Sequence, residues 1–223
     1  VSDSHATPSR ERIIAAATEL FAHRGYQATS TRAIGDAAGF NIGTIAYHVG
    51  GKADLYREVM RRAHAAQAEA VVQALDSVAG VEPTPDATRT ALHRFVDAYL
   101  DFCLAHPEVP ALWMRRWLDD DGQAGEGDDP AGEGVDEIVT AFAGPLVARV
   151  AEDVRGMLDR AGIGADVDLE MLVYSIVWST HSFSRAGFVD ASGTRRVATS
   201  PDMTDRFRRH LYLLIDGAVQ PGA

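Results

Sequence analysis

Apolar positions recur along this chain at helical spacing almost from its start. In "SRERIIAAATELFAHRGY", Ile13, Ile14, Ala17, Leu20 and Phe21 fall at i, i+1, i+4, i+7 and i+8, one face of a helix. Thr7 and Pro8 suit its N-cap and first turn, and Gly25 suits its stop. "TSTRAIGDAAG" predicts a short second helix, capped by Ser30 or Thr31 and ended by Gly39. "FNIGTIAYHVGG" predicts a third, capped by Asn41 and stopped by Gly50 and Gly51. A long amphipathic fourth helix follows in "KADLYREVMRRAHAAQAEAVVQALDSV", with Leu55, Val59, Ala63, Ala70, Val71, Leu75 and Val78 near one face.

Beyond the linker "GVEPTPD", Thr84-Pro85-Asp86 starts a fifth helix carrying Leu92, Phe95, Val96, Tyr99, Phe102 and Cys103 at helical spacing. Pro107 and Pro110 interrupt the pattern before a short, aromatic-rich sixth helix, "ALWMRRWL". Residues 119–134 hold seven Asp or Glu, five Gly and no apolar periodicity, which predicts a mobile acidic loop. Its carboxylate spacing does not fit an EF-hand, so a solvated loop is favoured over a metal site. A seventh helix is expected over 135–161, with Ile138, Phe142, Leu146, Val150 and Val154 recurring every four residues. An eighth, over 168–188, is apolar on nearly all sides and so should be buried on more than one face. Ser200-Pro201-Asp202 opens a last helix with Met203, Phe207, Leu211, Leu214 and Ile215 inward. No segment of four to eight residues alternates as a strand does. The fold class is therefore all-α, with about nine helices.

Composition narrows the setting. Of 223 residues 46% are hydrophobic and 24% charged, as in a soluble globular protein with ample core. No apolar run approaches the roughly 18 residues of a membrane span, and the first residues lack a signal-peptide core. The single cysteine, Cys103, sits in an apolar segment and excludes an internal disulfide or a multi-cysteine metal site. A cytoplasmic protein without cofactor or metal, and with no membrane partner, is expected. The net charge of −11 first argues against nucleic acid, but it is unevenly spread. Residues 1–62 carry +2, including the only lysine, Lys52, and the remainder carries −13. A mildly basic head can still meet phosphate.

Three short helices lie within the first fifty residues, and only Gly39-Phe40-Asn41 joins the second to the third. A tight glycine turn between short helices is the helix-turn-helix pattern. Gly39 can adopt the positive φ that ends one helix, and Asn41 can cap the next. The small Ala37, Ala38 and Gly43 would let the two helices approach closely. Here the run "RERIIAAATELFAHRGYQATSTRAIGDAAGFNIGTIAYHVGGKADLYREV" resembles the N-terminal DNA-binding domain of the TetR/AcrR family of bacterial transcriptional repressors. The likeness covers residues 10–59 without an insertion: "AA..LF...G" in the first helix, Thr31, Arg32, Ile34, Ala38 and Gly39 in the second, "GT..YH" in the third and "GK..L" opening the fourth. Family members often have tyrosine at Ala46 and usually phenylalanine at Val49.

The resemblance implies a DNA-binding domain over 1–52 and a ligand-binding and dimerisation domain over 53–223. Thr31 and Arg32 would meet the phosphate backbone, and Asn41, Ile42, Gly43 and Thr44 would approach base edges or sugars. Tyr47 and His48 would reach phosphate, and Lys52 would add a cation where a helix N-terminus already favours an anion. It further implies a homodimer on a double-stranded, pseudo-palindromic operator, released by a small apolar or aromatic effector. Phe95, Tyr99, Phe102, Trp113, Trp117, Phe142, Tyr174, Trp178 and His181 are the candidates for the effector's walls, against the plain alternative that they are core. Displacement of the sixth helix, through Trp113 and Trp117, would carry the signal to the fourth. Two other classes stay open: a dimeric sensor without DNA binding, and an all-α enzyme using the pocket. For the enzyme there is no G-x-S-x-G, H-E-x-x-H or phosphate-binding glycine loop.

Overall fold

A computed structural model describes residues 8–119, 141 and 143–219. Among them are nine helices: α1 (Pro8–Arg24), α2 (Thr31–Ala38), α3 (Ile42–Val49), α4 (Lys52–Val78), α5 (Pro85–Ala105), α6 (Glu108–Asp119), α7 (Gly144–Ala161), α8 (Leu169–Ala186) and α9 (Pro201–Ala218). Between α8 and α9 the two-residue strands β1 (Phe188–Val189) and β2 (Arg195–Arg196) pair antiparallel. This hairpin escaped the sequence reading because each strand is shorter than any alternation can show. Its turn is organised by Asp190, whose carboxylate accepts from Ser192 N at 2.9 Å, Thr194 N at 3.0 Å and Arg196 Nε at 2.7 Å.

Most helix boundaries follow local chemistry. The Ser30, Asn41, Thr84 and Asp168 side chains cap α2, α3, α5 and α8. Gly39, Gly50 and Gly162 end α2, α3 and α7. Two boundaries differ from expectation: Gly187 ends α8 before Phe188, which stands in β1, and α6 begins earlier. Pro110 does not precede α6 but stands in its first turn, after Glu108 and Val109. The first four N–H groups of a helix have no intrahelical acceptor, so a proline there forfeits nothing. Thr7, the acidic run over 120–134 and the start of the seventh helix over 135–140 lie outside the described residues, as does Phe142.

The chain forms two compact units. One comprises the described residues of Val1–Ala65 and Ala111–Ala141, the other those of Ala66–Pro110 and Phe142–Ala223. In the first, α1, α2 and α3 pack on one another around Ile13, Phe21, Ile34 and Ile45, all at most 1% exposed. Phe21, Tyr26 and Tyr56 form an aromatic cluster, with Tyr56 edge-on to Phe21 at 5.0 Å and tilted on Tyr26 at 4.9 Å. An ion network ties α1 to α4. Glu58 accepts from Arg10, Arg61 and Arg62, and Arg62 also grips both carboxylate oxygens of Glu11 at 2.6 and 2.9 Å. Burial works to raise the Glu58 carboxyl, but the bonds from Arg61 and Arg62 outweigh it and hold the group at about 2. The helix α6 joins this unit by two contacts. Trp113 stands edge-on to the buried His64 ring at 3.9 Å, and Arg115 donates to the carbonyls of Ala22 (2.8 Å) and His23 at the end of α1.

The second unit is a helical body. Val71, Leu75, Val96, Leu100, Cys103, Val150, Leu158, Phe183, Leu211 and Ile215 form its core, contributed by α4, α5, α7, α8 and α9. Phe183 and Phe207 stack at 4.1 Å and 8° between α8 and α9. A polar seam joins α5 to α9: Arg208 pairs with Asp97 at 2.7 Å and Asp101 at 2.6 Å, Tyr212 donates to Asp97, and His93 meets Asp216 at 2.8 Å.

Candidate nucleic-acid interface

The geometry of α2 and α3 rests on a close approach that the sequence reading misassigned. Ala37 and Gly43 are exposed, so of the three small residues expected at the contact only Ala38 is buried. The residue that permits it is Gly35: a Cβ there would lie 2.7 Å from the Phe40 carbonyl oxygen and 3.2 Å from Ile45 Cδ1. Gly39 then reverses the chain at φ 75°, and Arg12 seals the turn by donating to the Ala38 carbonyl at 2.9 Å while its guanidinium lies over the Phe40 ring. The buried Thr29 hydroxyl donates to the Gly25 carbonyl at 2.7 Å and fixes the turn into α2.

With its back held this way, α3 buries only Ile45. Ile42 is 53% exposed and Tyr47 86% exposed, so neither is used to pack the head. Asn41, Gly43 and Ala46 are also exposed, and Thr44 and His48 are half-buried. Asn41 Oδ1 accepts both the Thr44 amide at 2.9 Å and the Thr44 hydroxyl at 3.1 Å. That commits the hydroxyl proton and leaves its lone pairs to accept from outside. The His48 ring stands edge-on to Tyr47 at 5.2 Å. On α2, Thr31 is half-buried and Arg32 exposed.

Lys52 opens α4 with its ammonium 4.0 Å from the centre of the Tyr26 ring. The ring holds the long side chain in one direction. The helix end beside it is already served by a carboxylate, since Asp54 accepts the Gly51 N–H at 3.0 Å and also pairs with Arg57. The Gly51 bond, then Arg57, draw the Asp54 carboxyl below its usual range. Asp54 also relieves the penalty of placing Lys52 at the positive end of a helix. The acid three residues after Gly51 was the legible signal for this cap. Tyr26 had no signal, because its partnership with Lys52 joins two elements.

The residues named for an effector fall into separate places. In the second unit, Tyr99 and His181 are buried and meet at 2.8 Å. Phe95 and Phe102 pack partly buried against the core, and Phe102 lies 4.9 Å from the His106 ring. Tyr174 is 55% exposed on α8, with Trp178 one turn on at 6.1 Å. Trp113 and Trp117 belong to the first unit, Trp113 buried on His64 and Trp117 exposed. Between the two tryptophans, Arg115 is occupied by α1. An open pocket of about 380 Å³ between α8, the hairpin and α9 is lined by Ser179, Ser182, Phe183, Phe188, Arg206 and His210 among others. None of the eight effector candidates among the described residues lines it.

A compact head that spends its third helix on solvent, with a glycine turn behind it, is a helix-turn-helix module. Residues 13–59 match the family model described as bacterial regulatory proteins, tetR family. No curated protein matches the sequence. Solved structures share the fold over nearly the whole chain. A ketosteroid transcriptional regulator, KstR2 of Mycobacterium tuberculosis, aligns with a TM-score of 0.66 at 15% identity, covering 96% of each chain. The fatty acid degradation regulator FadR from Bacillus halodurans aligns at 0.61 and 13%, covering 94% of this chain and 96% of its own. A TetR-like transcriptional regulator from Rhodococcus sp. RHA1 aligns at 0.59 and 18%, covering 94% of each. Residues 13–59 thus carry the tetR-family pattern, and the chain as a whole shares the fold of these solved regulators. Among the described residues no helix is long and apolar enough to cross a membrane, and no group of three His, Cys, Asp or Glu could hold a metal ion.

Proposed function

We propose that this chain is a cytoplasmic, ligand-responsive repressor, not an enzyme, that binds a pseudo-palindromic operator as a homodimer and releases it on binding a small apolar effector. The observation that carries the DNA reading is the exposure of Ile42 and Tyr47 on a helix whose back is locked by Gly35 and Arg12. In this reading residues 1–52 are the DNA-binding part and 53–223 the sensing and pairing part. Asn41, Ile42, Gly43 and Thr44 face the major groove. Thr31, Arg32, Tyr47, His48 and Lys52 meet phosphate and sugar. The ring under Lys52 supports this role, since a cation held in one direction spends less entropy on reaching phosphate.

Pairing is supported by Met171 (56% exposed) and Tyr174 on α8 and by Leu213 (71%) on α9. Apolar groups left out on two adjacent helices suit a four-helix interface about a twofold axis. Two heads then address successive major grooves about 34–36 Å apart. The names of two structural relatives, a ketosteroid and a fatty acid degradation regulator, support an effector with an apolar frame. The grip of Arg115 on α1 supports α6 as the element that passes the effector's signal to the head. Only unequal affinity of the effector for the two head spacings can release DNA.

The test is a mobility-shift titration against the DNA upstream of the chain's own gene. The parent should bind one symmetric site. Tyr47→Ala should weaken binding about tenfold or more without lowering the melting temperature, because an exposed ring adds nothing to packing. Parent-like binding by both Tyr47→Ala and Lys52→Ala would remove the assignment.

A further inference from the structure

Among the described residues, the second unit buries no Asp, Glu, Lys or Arg, yet its interior holds several uncharged polar side chains besides Thr88. Tyr99 and Cys103 come from α5, Thr180 and His181 from α8, and all four are at most 6% exposed. Gln67 joins them from α4, donating through Nε2 to the Tyr99 hydroxyl at 2.9 Å. The same hydroxyl shares a hydrogen bond with His181 Nε2 at 2.8 Å. The neighbouring Thr180 hydroxyl, on a fully buried residue, has no partner.

Interiors pair nearly all their polar groups, because a buried donor without a partner forfeits its hydration. A fully buried hydroxyl without a partner, beside a histidine already held by Tyr99, marks a place that a further molecule completes. The apolar core of the same unit includes Val96, Leu100 and Phe183. None of the buried side chains described in this unit offers a carboxylate a cation. Burial alone already holds His181 neutral, its ring brought down to about 4, and pushes the Tyr99 hydroxyl well above its usual range.

Building on the reading of this unit as a sensor, we propose that Thr180 and His181, held by Tyr99 and Gln67, seat the polar end of an uncharged effector, a ketone, alcohol or amide on an apolar frame, and reject the corresponding carboxylate. The discrimination follows from hydrogen bonds available without compensating charge.

The experiment uses the full chain and matched pairs of probes: decanamide with decanoate, naphthamide with naphthoate, and a steroid ketone with a carboxylate of the same ring skeleton. Affinity is measured by calorimetry at about pH 7.5, where the acids are ionised, and release of operator DNA is followed in parallel. At least one neutral probe should bind, about tenfold or more tighter than its acid. Thr180→Val removes an unpaired hydroxyl from an apolar setting, so it should melt at or above the parent's temperature. It should nevertheless bind the neutral probe roughly five- to tenfold more weakly, and His181→Gln should lose affinity likewise. Those two effects of Thr180→Val run in opposite directions, which a purely structural threonine cannot produce. Acids that bind and release DNA as well as their neutral partners would overturn the inference and leave the sensing role standing. Unchanged affinity in both variants would do the same. Binding by no member of any pair would overturn the inference and the sensing role together.

Discussion

Gly35→Ala sets two effects of opposite sign against each other, and the structure decides between them. In an exposed helix, replacing glycine by alanine stabilises by about 1 kcal/mol through backbone entropy. At Gly35 the new methyl would sit 2.7 Å from the Phe40 carbonyl oxygen, a backbone atom that cannot rotate away, and 3.2 Å from Ile45 Cδ1. The same turn is closed by the bond from Phe40 N–H to the Gly35 carbonyl at 2.9 Å, so relieving the clash strains that bond as well. Overpacking of this kind costs about 1–3 kcal/mol, and the net should be a loss of about 1–2 kcal/mol after the helical gain. For a chain of this size that lowers the melting midpoint by roughly 2–8 °C. DNA affinity should fall further than stability does, because a shift of α3 against α2 moves the whole exposed set from Asn41 to His48 at once. Gly43→Ala is the control. Its methyl would meet only the Asn41 side-chain oxygen at 3.3 Å, so it should fold as well as the parent. Thermal melts of the two variants, followed by circular dichroism, check the sign. A Gly35→Ala protein as stable as the parent and binding DNA normally would refute the close-approach account.

Glu58→Gln should cost about 1–2 kcal/mol at neutral pH, because three arginines lose their shared acceptor. Since the fold depresses the Glu58 carboxyl from 4.5 to about 2, its contribution is present in full above about pH 4.5 and fades towards pH 2. Urea titrations of parent and variant should therefore converge across that window. Burial holds His64 and His181 neutral, each brought from 6.5 to about 4. The unfolded chain binds those protons first, so stability should fall as pH drops from about 6.5 to 4, by up to about 1.4 kcal/mol per pH unit for each ring. Replacing either histidine by glutamine should flatten the slope of denaturation midpoint against pH in that range. Arg115→Met keeps an apolar stem but abandons the carbonyls of Ala22 and His23, and amide exchange in the last turn of α1 should accelerate by about tenfold. Lys52→Ala and Arg32→Ala should each reduce the salt slope of operator binding by about 1 if they meet phosphate, whereas Thr44→Ala should change base preference.

Local chemistry was legible in the sequence. The 3.6-residue period of Ile13, Ala17 and Phe21 made α1, and Ser30, Asn41 and Thr84 announced helix starts that depend only on a side chain reaching three residues ahead. The order of those short-range signals was also enough to predict the helix-turn-helix of α2 and α3. The acidic run gave no such signal and lies outside the described residues. What tertiary structure alone decided joins residues far apart in the chain. Spacing marks Gly35 as one more small residue in a helix; only the position of Phe40 and Ile45 makes it indispensable. Tyr26 under Lys52, Arg115 on the end of α1, and Gln67 on Tyr99 are contacts across 26, 92 and 32 positions. No periodicity encodes them, because period reports which face of an element is buried and not what lies opposite. The same limit explains the effector candidates. Aromatic side chains at helical spacing announce burial, but whether Trp113 meets His64 or Tyr99 meets His181 is settled by how the helices pack.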